Sequence, residues 1–403
     1  MKNLKTKKKV WLLTRRFPYN KTEAFLESEI MILSQTFEEI EIFPTENKGF
    51  KRKTPSNVKV NPEFSISFGS KTKRILRTIT SKLLRQTFWK YRKKISNLNS
   101  IAHLFQFTSS VITYYDYFSK FKFEKNDLIY TYWFNEATTA LAMLKQTKNF
   151  KLIARAHRYD VYEGQPGTPV FWPYRQFTLQ QVDKLFTISK SAKTFIETNY
   201  ITNNKVVISK LGVFDHKTIS TIPTNKNTTF VSVSRITLVK RVSMIADVIG
   251  LYAIENPNIN IRWVHYGDGP ERNNLTKTLP NATNLKIELK GNVNNTEIYR
   301  FYNENPITAF INLSSSEGIP VSIMEAMSYG IPVIATNVGG NSEIVSKKTG
   351  ILLSENPSKD EILCALTQIQ SGSFERKTIK ERWNKNYNAE VNYRLFAEEL
   401  SNI

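Results

Sequence analysis

Cysteine is nearly absent from this 403-residue chain: Cys364 stands alone, beside only four histidines and fifteen glycines. A single thiol excludes an intrachain disulfide framework and any cysteine-rich zinc or iron–sulfur site, and it fits a reducing compartment. Cys364 itself is expected in the core, chemically inert. No Asp-x-Asp occurs, and no stretch of about 18 uninterrupted apolar residues, so a membrane-spanning helix is not expected. The basic start, residues 2–9, is followed by only four apolar residues, 10–13, before Thr14, Arg15 and Arg16 interrupt them. That run is too short for the apolar region of a signal peptide. The chain therefore reads as cytoplasmic, with the inner face of the membrane as an expected peripheral contact. Acidic residues are also scarce: 35 Asp and Glu against 57 Lys and Arg leave a net charge of +22. Anionic partners are expected. Nucleic acid, anionic lipid headgroups, phosphorylated acceptors and nucleotide-linked substrates all satisfy that charge, which by itself does not choose among them.

What is present is globular: 40% hydrophobic and 23% charged side chains, enough for sizeable cores and, at roughly 100 to 200 residues per domain, for two domains. In the second half, short β-branched runs at 230–233, 259–266, 285–289, 307–313, 332–335 and 350–353 alternate with helical patterns at 242–254, 271–278, 296–303, 321–329, 341–345 and 359–370. Strict alternation of strand and helix predicts βαβ units and a parallel sheet covered on both faces. The first half repeats the rhythm less clearly, with strands at 10–14, 40–43, 128–132, 152–156, 184–188 and 206–208. Two doubly wound α/β domains are predicted. The polar, Thr- and Asn-rich stretch 216–227 is the natural linker.

Between Glu63 and Asp116 there is no acidic residue, while ten Lys and Arg accumulate over 71–94 among Ile75, Leu76, Ile79, Leu83, Leu84, Phe88 and Trp89. Positions 75, 76, 79, 83 and 84 fall at helical spacing, which makes a basic amphipathic segment suited to a headgroup layer or an anionic acceptor. Packing as a solvated helix on its own domain is the alternative, although ordinary solvated faces mix both signs of charge.

The sharpest cluster runs from Ser316 through Glu317, Gly318, Ile319, Pro320 and Val321 to Glu325, directly after the strand 307–313. A strand, a glycine turn and a helix opening on proline expose free backbone N–H groups, and the helix dipole adds about half a positive charge there. Such a place holds phosphate without a metal. Glu325, further into the helix, has the acceptors for a ribose diol. Glu317, on the turn, would face whatever lies beyond the diphosphate. A second cluster follows the first strand of the same half, where Arg235 offers a bidentate fork and Lys240 a point charge at the sheet's carboxyl edge. Alone it is a common basic loop.

In order along this half stand Arg235 with Lys240, Gly267-Asp268-Gly269-Pro270, Gly291-Asn292-Val293, the Glu317 and Glu325 pair, and Gly339-Gly340-Asn341-Ser342-Glu343. This succession resembles the donor domain of retaining glycosyltransferases of family four, of the surface-polysaccharide type, over about residues 228–372. In the first half, Arg155-Ala156-His157-Arg158-Tyr159-Asp160 resembles that family's active-site histidine segment. Where many members carry a glycine-rich loop after the first strand, Thr14-Arg15-Arg16-Phe17-Pro18-Tyr19 stands instead.

The resemblance implies the GT-B fold, two Rossmann-like domains facing across a cleft. An acceptor-side domain would take residues 1–215, a donor-binding domain 216–380, and a terminal helix, 381–403, would return to the first. It implies that Arg235 and Lys240 bind the donor diphosphate and Glu325 the ribose hydroxyls. Glu317 with the backbone of Gly318, Ile319, Pro320 and Val321 would contact the donor sugar and phosphates. The backbone of Gly291, Asn292 and Val293 would meet the base, and His157 the transferred sugar. Read without the resemblance, a lone His157 is a satisfied core histidine. No cofactor or metal is expected, and a nucleotide diphosphate sugar is the donor substrate. The expected reaction is metal-independent, retaining transfer of a hexose to a hydroxyl of a lipid-linked surface glycan, the basic segment 71–94 meeting an anionic membrane. Another nucleotide-sugar enzyme, an epimerase or phosphorylase of similar fold, is the alternative. A non-enzymatic polyanion or nucleic-acid binder is a more distant one, since it leaves the acidic pair and the strand–helix turns unexplained, and nucleic acid is not an expected partner.

Overall fold

A computed structural model describes residues 6–20, 23, 25–165, 167–224, 226–372 and 374–403; most of the basic start, residues 2–5, lies outside them. The chain divides into two units, one of residues 1–210 with 391–403 and the other of residues 211–390.

In the first unit seven strands form one sheet: β1 (Thr6–Thr14), β2 (Phe37–Pro44), β3 (Val58–Val60), β4 (Leu128–Thr131), β5 (Lys151–Ala156), β6 (Lys184–Thr187) and β7 (Val206–Ile208). They lie in the order β3-β2-β1-β4-β5-β6-β7, and every pairing is parallel. The pleat sends Val10 and Leu12 of β1 into one core and Trp11 and Leu13 into the other, all of them buried. A strand buried on both faces must be apolar at every position, which is why these runs read as continuous rather than alternating. β3, only three residues with a single buried side chain, carries no such run and is not visible in the sequence pattern.

The second unit repeats the plan with β8 (Asn227–Val233), β9 (Asn260–Tyr266), β10 (Leu285–Gly291), β11 (Ala309–Asn312), β12 (Val333–Thr336) and β13 (Gly350–Leu353). The order is β10-β9-β8-β11-β12-β13, again all parallel. The predicted strands and helices of this half are present, with ends that differ by at most three residues.

In both sheets the strand order reverses beside the unit's first strand, at β1/β4 and at β8/β11. Connections from these neighbouring strands leave in opposite directions, so a crevice opens at their carboxyl ends, where ligands bind in open α/β sheets. The loops after β8 and β11 are those that carry Arg235 to Lys240 and Ser316 to Val321.

Three features differ from the sequence reading. The expected linker is bound to the second unit, with Ser220 N–H donating to Tyr329 O, Ile307 N–H to Thr221 O and Lys380 Nζ to Thr218 O. Its polar residues serve as backbone partners rather than as a free tether, and Asn225 lies outside the described residues. The terminal segment is two helices: Arg376–Tyr387 packs against Val321–Ser328 in the second unit, whereas Ala389–Ser401 enters the first from Val391 onward. There Phe396 meets Tyr130 and Phe186 edge-on. Cys364 is exposed, on the outer face of the helix Lys359–Gln370, whose core side is Ile362, Ala365, Leu366 and Ile369. It is not part of the core.

Candidate active site

Five sequence motifs meet at the carboxyl edge of the second unit's sheet, joined by backbone hydrogen bonds between loops. Ile236 N–H donates to Asp268 O, Ser315 N–H to Val239 O, Gly267 N–H to Gly291 O and Gly340 N–H to Gly318 O. Two of the glycines are there for closeness. A Cβ on Gly269 would stand 2.2 Å from Ile236 O, and one on Gly339, whose φ is +53°, would stand 1.9 Å from Glu317 O. Only a residue without a side chain lets these loops touch.

Within this edge, Arg235 is exposed and enters no ion pair among the described residues. Lys240 ends a short 3-10 turn, Leu238–Lys240, and its Nζ lies 2.5 Å from Oε1 of Glu317. That same carboxylate oxygen accepts from Ser314 Oγ at 2.7 Å and from Asn312 Nδ2 at 3.2 Å. Glu317 thus turns inward, 7% exposed, and joins Lys240 instead of facing outward from the turn. The pairing leaves the strand-end loops cross-braced by charge.

Pro320 is the N-cap of the helix Val321–Ser328 and not its first residue. Its carbonyl accepts from Ile323 and Met324, leaving the N–H groups of Val321 and Ser322 without intrahelical acceptors. Glu325 is buried one turn on, where its Oε1 accepts from Tyr299 OH at 2.7 Å and Asn295 Nδ2 at 3.2 Å. Burial pushes its carboxyl up to about 7, with the Tyr299 hydrogen bond opposing. Tyr299 also packs against His216, ring centroids 4.3 Å apart. Gly291 is buried at φ +70°, while Asn292 is exposed and Val293 half-buried beside it.

In the first unit, His157 follows β5 as the N-cap of a short helical turn, and its N–H donates to Asp160 Oδ1. Its ring lies buried among Trp133, Tyr132 and Phe25, at 4.7, 4.8 and 5.7 Å between centroids. Burial first, and then the positive charge of Arg155, lower its pKa to about 3, so it is a neutral imidazole.

Sequence reasoning missed Glu23. Its carboxylate accepts the N–H groups of Arg15, Arg16 and Phe17 and, at 2.6 Å, Nε1 of Trp133. It thereby shapes the loop that stands where a glycine-rich turn would, and holds Trp133 against His157. The signal was one unremarkable glutamate, and only the fold brings it to the end of β1. Beside it, Thr14, Arg15, Trp133, Asn135, Glu136 and Tyr159 line part of a cavity of about 520 Å³ at the same sheet edge.

Residues 215–386, the second unit but for its first four and last four residues, match the family model of glycosyl transferases group 1. The two-sheet architecture is the GT-B fold. The O-antigen biosynthesis glycosyltransferase WbnH of Escherichia coli is 27% identical over 263 residues, 61% of this chain and 70% of its own length. The chain spans about half the length of the first curated relatives it matches. Among solved structures, the apo form of the lipopolysaccharide outer core galactosyltransferase WaaB superposes with a TM-score of 0.68 at 15% identity, over 98% of this chain and 100% of that one. Anabaena HepE in complex with UDP and glucose does so with a TM-score of 0.63 at 16% identity, over 98% and 100%. At those identities the likeness shows the fold.

Proposed function

We propose that this chain is a glycosyltransferase that moves a hexose from a nucleotide diphosphate sugar to a hydroxyl of a lipid-linked surface glycan, with retention at the anomeric carbon. The observation that carries the reading is the junction after β8 and β11, where an exposed arginine, a Lys240–Glu317 pair and an open helix start share one sheet edge. Relatives named for O-antigen biosynthesis and for lipopolysaccharide core galactosyl transfer support the surface-glycan class, and a neighbour holding UDP and glucose supports the donor.

In this reading Arg235, Lys240 and the N–H groups of Val321 and Ser322 take up charge on the leaving diphosphate. Donors aimed at developing charge in a dry site contribute a few kcal/mol each to the transition state. Glu325 receives the ribose hydroxyls, the backbone of 291–293 the base, and Gly318 to Pro320 the phosphates and sugar. Neutral His157 lies beside the sugar as a hydrogen-bonding group. Bond cleavage leads, an oxocarbenium-like sugar forms, and the acceptor hydroxyl loses its proton to the departing phosphate on the same face. No protein nucleophile is required. The basic segment 71–94 rests on an anionic membrane surface at the cytoplasmic face; no helix among the described residues is long and apolar enough to cross one.

The test is incubation of the purified chain with labelled nucleotide sugars and saccharide acceptors, preceded by a thermal-shift panel of nucleotides. A ligand that binds only the folded state raises its apparent stability. Glycosyl transfer that falls about a hundredfold in Arg235→Ala, with unchanged melting, supports the reading. Isomerisation of the sugar nucleotide without transfer, or wild-type transfer by Arg235→Ala, refutes it.

A further inference from the structure

The helices Lys71–Thr80 and Lys82–Tyr91 are turned inside out. Facing inward, beside a partly buried Leu83 packed on the core, are threonines: Thr78, 1% exposed, bonds to Arg74 O, and Thr87, fully buried, bonds to Leu83 O and Tyr174 OH. Facing outward are Ile75 at 47%, Leu76 at 62%, Ile79 at 58%, Phe88 at 45% and Trp89 at 66% exposure. Burying threonine while exposing tryptophan forgoes the largest part of what helix packing contributes. Such a face is retained for a partner.

Both helices pack against Leu98–Phe118. Where the second meets it, a groove of about 240 Å³ opens, lined by Leu84, Phe88, Trp89, Ile101, Leu104 and Phe105, with Arg85 at its side. Arg85 is exposed and in no ion pair among the described residues, and Arg92 stacks over Trp89 at 5.4 Å. The groove is carbon and its surroundings are cationic, without one acidic residue between Glu63 and Asp116. The long helix also reaches the polar cavity at the carboxyl edge of the first unit's sheet, where Gln106 and Ser110 contribute to the lining. From Ile101 to Ser110 it rises roughly 14 Å at about 1.5 Å per residue. One helix therefore joins an apolar groove to a polar, aromatic-walled cavity.

We infer that this groove is a binding site for the hydrocarbon chain of a phosphate-bearing lipid whose polar head extends along the 98–118 helix toward the cavity beside Arg15 and Trp133. The inference rests on the glycosyltransferase reading only for its meaning, as the anchor of a lipid-linked acceptor. Charge complementarity selects a phosphorylated amphiphile over a neutral one, because its phosphate meets Arg85 and Arg92, neither of which is in an ion pair among the described residues.

The test uses the full chain and a decyl phosphate brominated at its tail, held below its critical micelle concentration. Bromine quenches tryptophan by contact, and Trp11, Trp172, Trp263 and Trp383 are all less than 7% exposed. Saturable quenching is expected, lost in Trp89→Phe, weakened about tenfold or more in Ile101→Glu, and about tenfold weaker for a brominated decyl maltoside at low salt. Ile101 is 43% exposed, so its substitution leaves the core intact. Quenching that never saturates, that Ile101→Glu leaves unchanged, or that appears only with brominated vesicles overturns the inference. So does a self-association that Ile101→Glu abolishes without any quenching. Saturable quenching by a chain that transfers no sugar sinks the enzyme reading alone; transfer to soluble and lipid-linked acceptors alike, without quenching, sinks this inference alone.

Discussion

The ammonium of Lys240 lies 2.5 Å from the Glu317 carboxylate, and the two residues come from loops after different strands of the second sheet. Glu317 is 7% exposed, so a lost partner leaves a nearly buried charge that, among the described residues, keeps the hydrogen bonds of Ser314 and Asn312. Breaking a buried pair from one side is costly for that reason. Lys240→Ala is expected to lower the melting temperature and to weaken diphosphate binding, whereas Lys240→Ala with Glu317→Gln recovers most of the melting loss without restoring binding. Calorimetry and titration with a nucleoside diphosphate check this; a double variant no more stable than Lys240→Ala would contradict it.

Glu325 carries a carboxyl raised to about 7 by burial. Because the folded value lies above the ordinary carboxylate value of 4.5, the protonated form favours folding, and that stabilisation is lost as pH rises from about 4.5 through about 7. Holding two ribose hydroxyls needs the ionised form, so nucleotide affinity should rise between pH 6 and 8. Tyr299→Phe removes the hydrogen bond that supports the anion and moves the profile to higher pH, while Glu325→Gln flattens it. Isothermal titration across that range decides; a flat wild-type profile would remove Glu325 from ribose binding.

Gly339→Ala places a methyl group at 1.9 Å from Glu317 O on a backbone at φ +53°. Both the strain and the clash act on the loop that opens the helix at Val321. The expected cost exceeds about 1 kcal/mol, with weakened donor binding. Chemical denaturation and a nucleotide titration read the two effects, and an unchanged midpoint would mean the loops do not touch.

His157 is expected to stay neutral far below ordinary histidine pH. With a folded value near 3 against 6.5, the neutral ring favours folding above about pH 6.5, and that contribution is lost as pH falls from 6.5 toward 3. Only four histidines exist, so ring proton resonances are assignable by substitution. A His157 resonance that titrates between pH 6 and 7 would show an open ring and undo the geometry drawn around Trp133 and Tyr132.

The sequence by itself determined the α/β class, the strand–helix alternation and the order of the five motifs. These rest on local properties: apolar runs that suit doubly covered parallel strands, helical spacing, and glycines at turns. It also marked 71–94 as basic and amphipathic. What it did not determine was which residues meet. Glu23 under the 15–17 loop, Trp133 on Glu23, Lys240 on Glu317 and Tyr299 on Glu325 depend on contacts across 6 to 110 positions, the longer of them set by which strands lie side by side in each sheet. The exposed Cys364 and the outward tryptophan of the 82–91 helix belong to the same class, for apolar spacing tells which residues share a face but not whether that face is covered. Tertiary packing decides that, because a helix face is buried only when another element arrives to cover it.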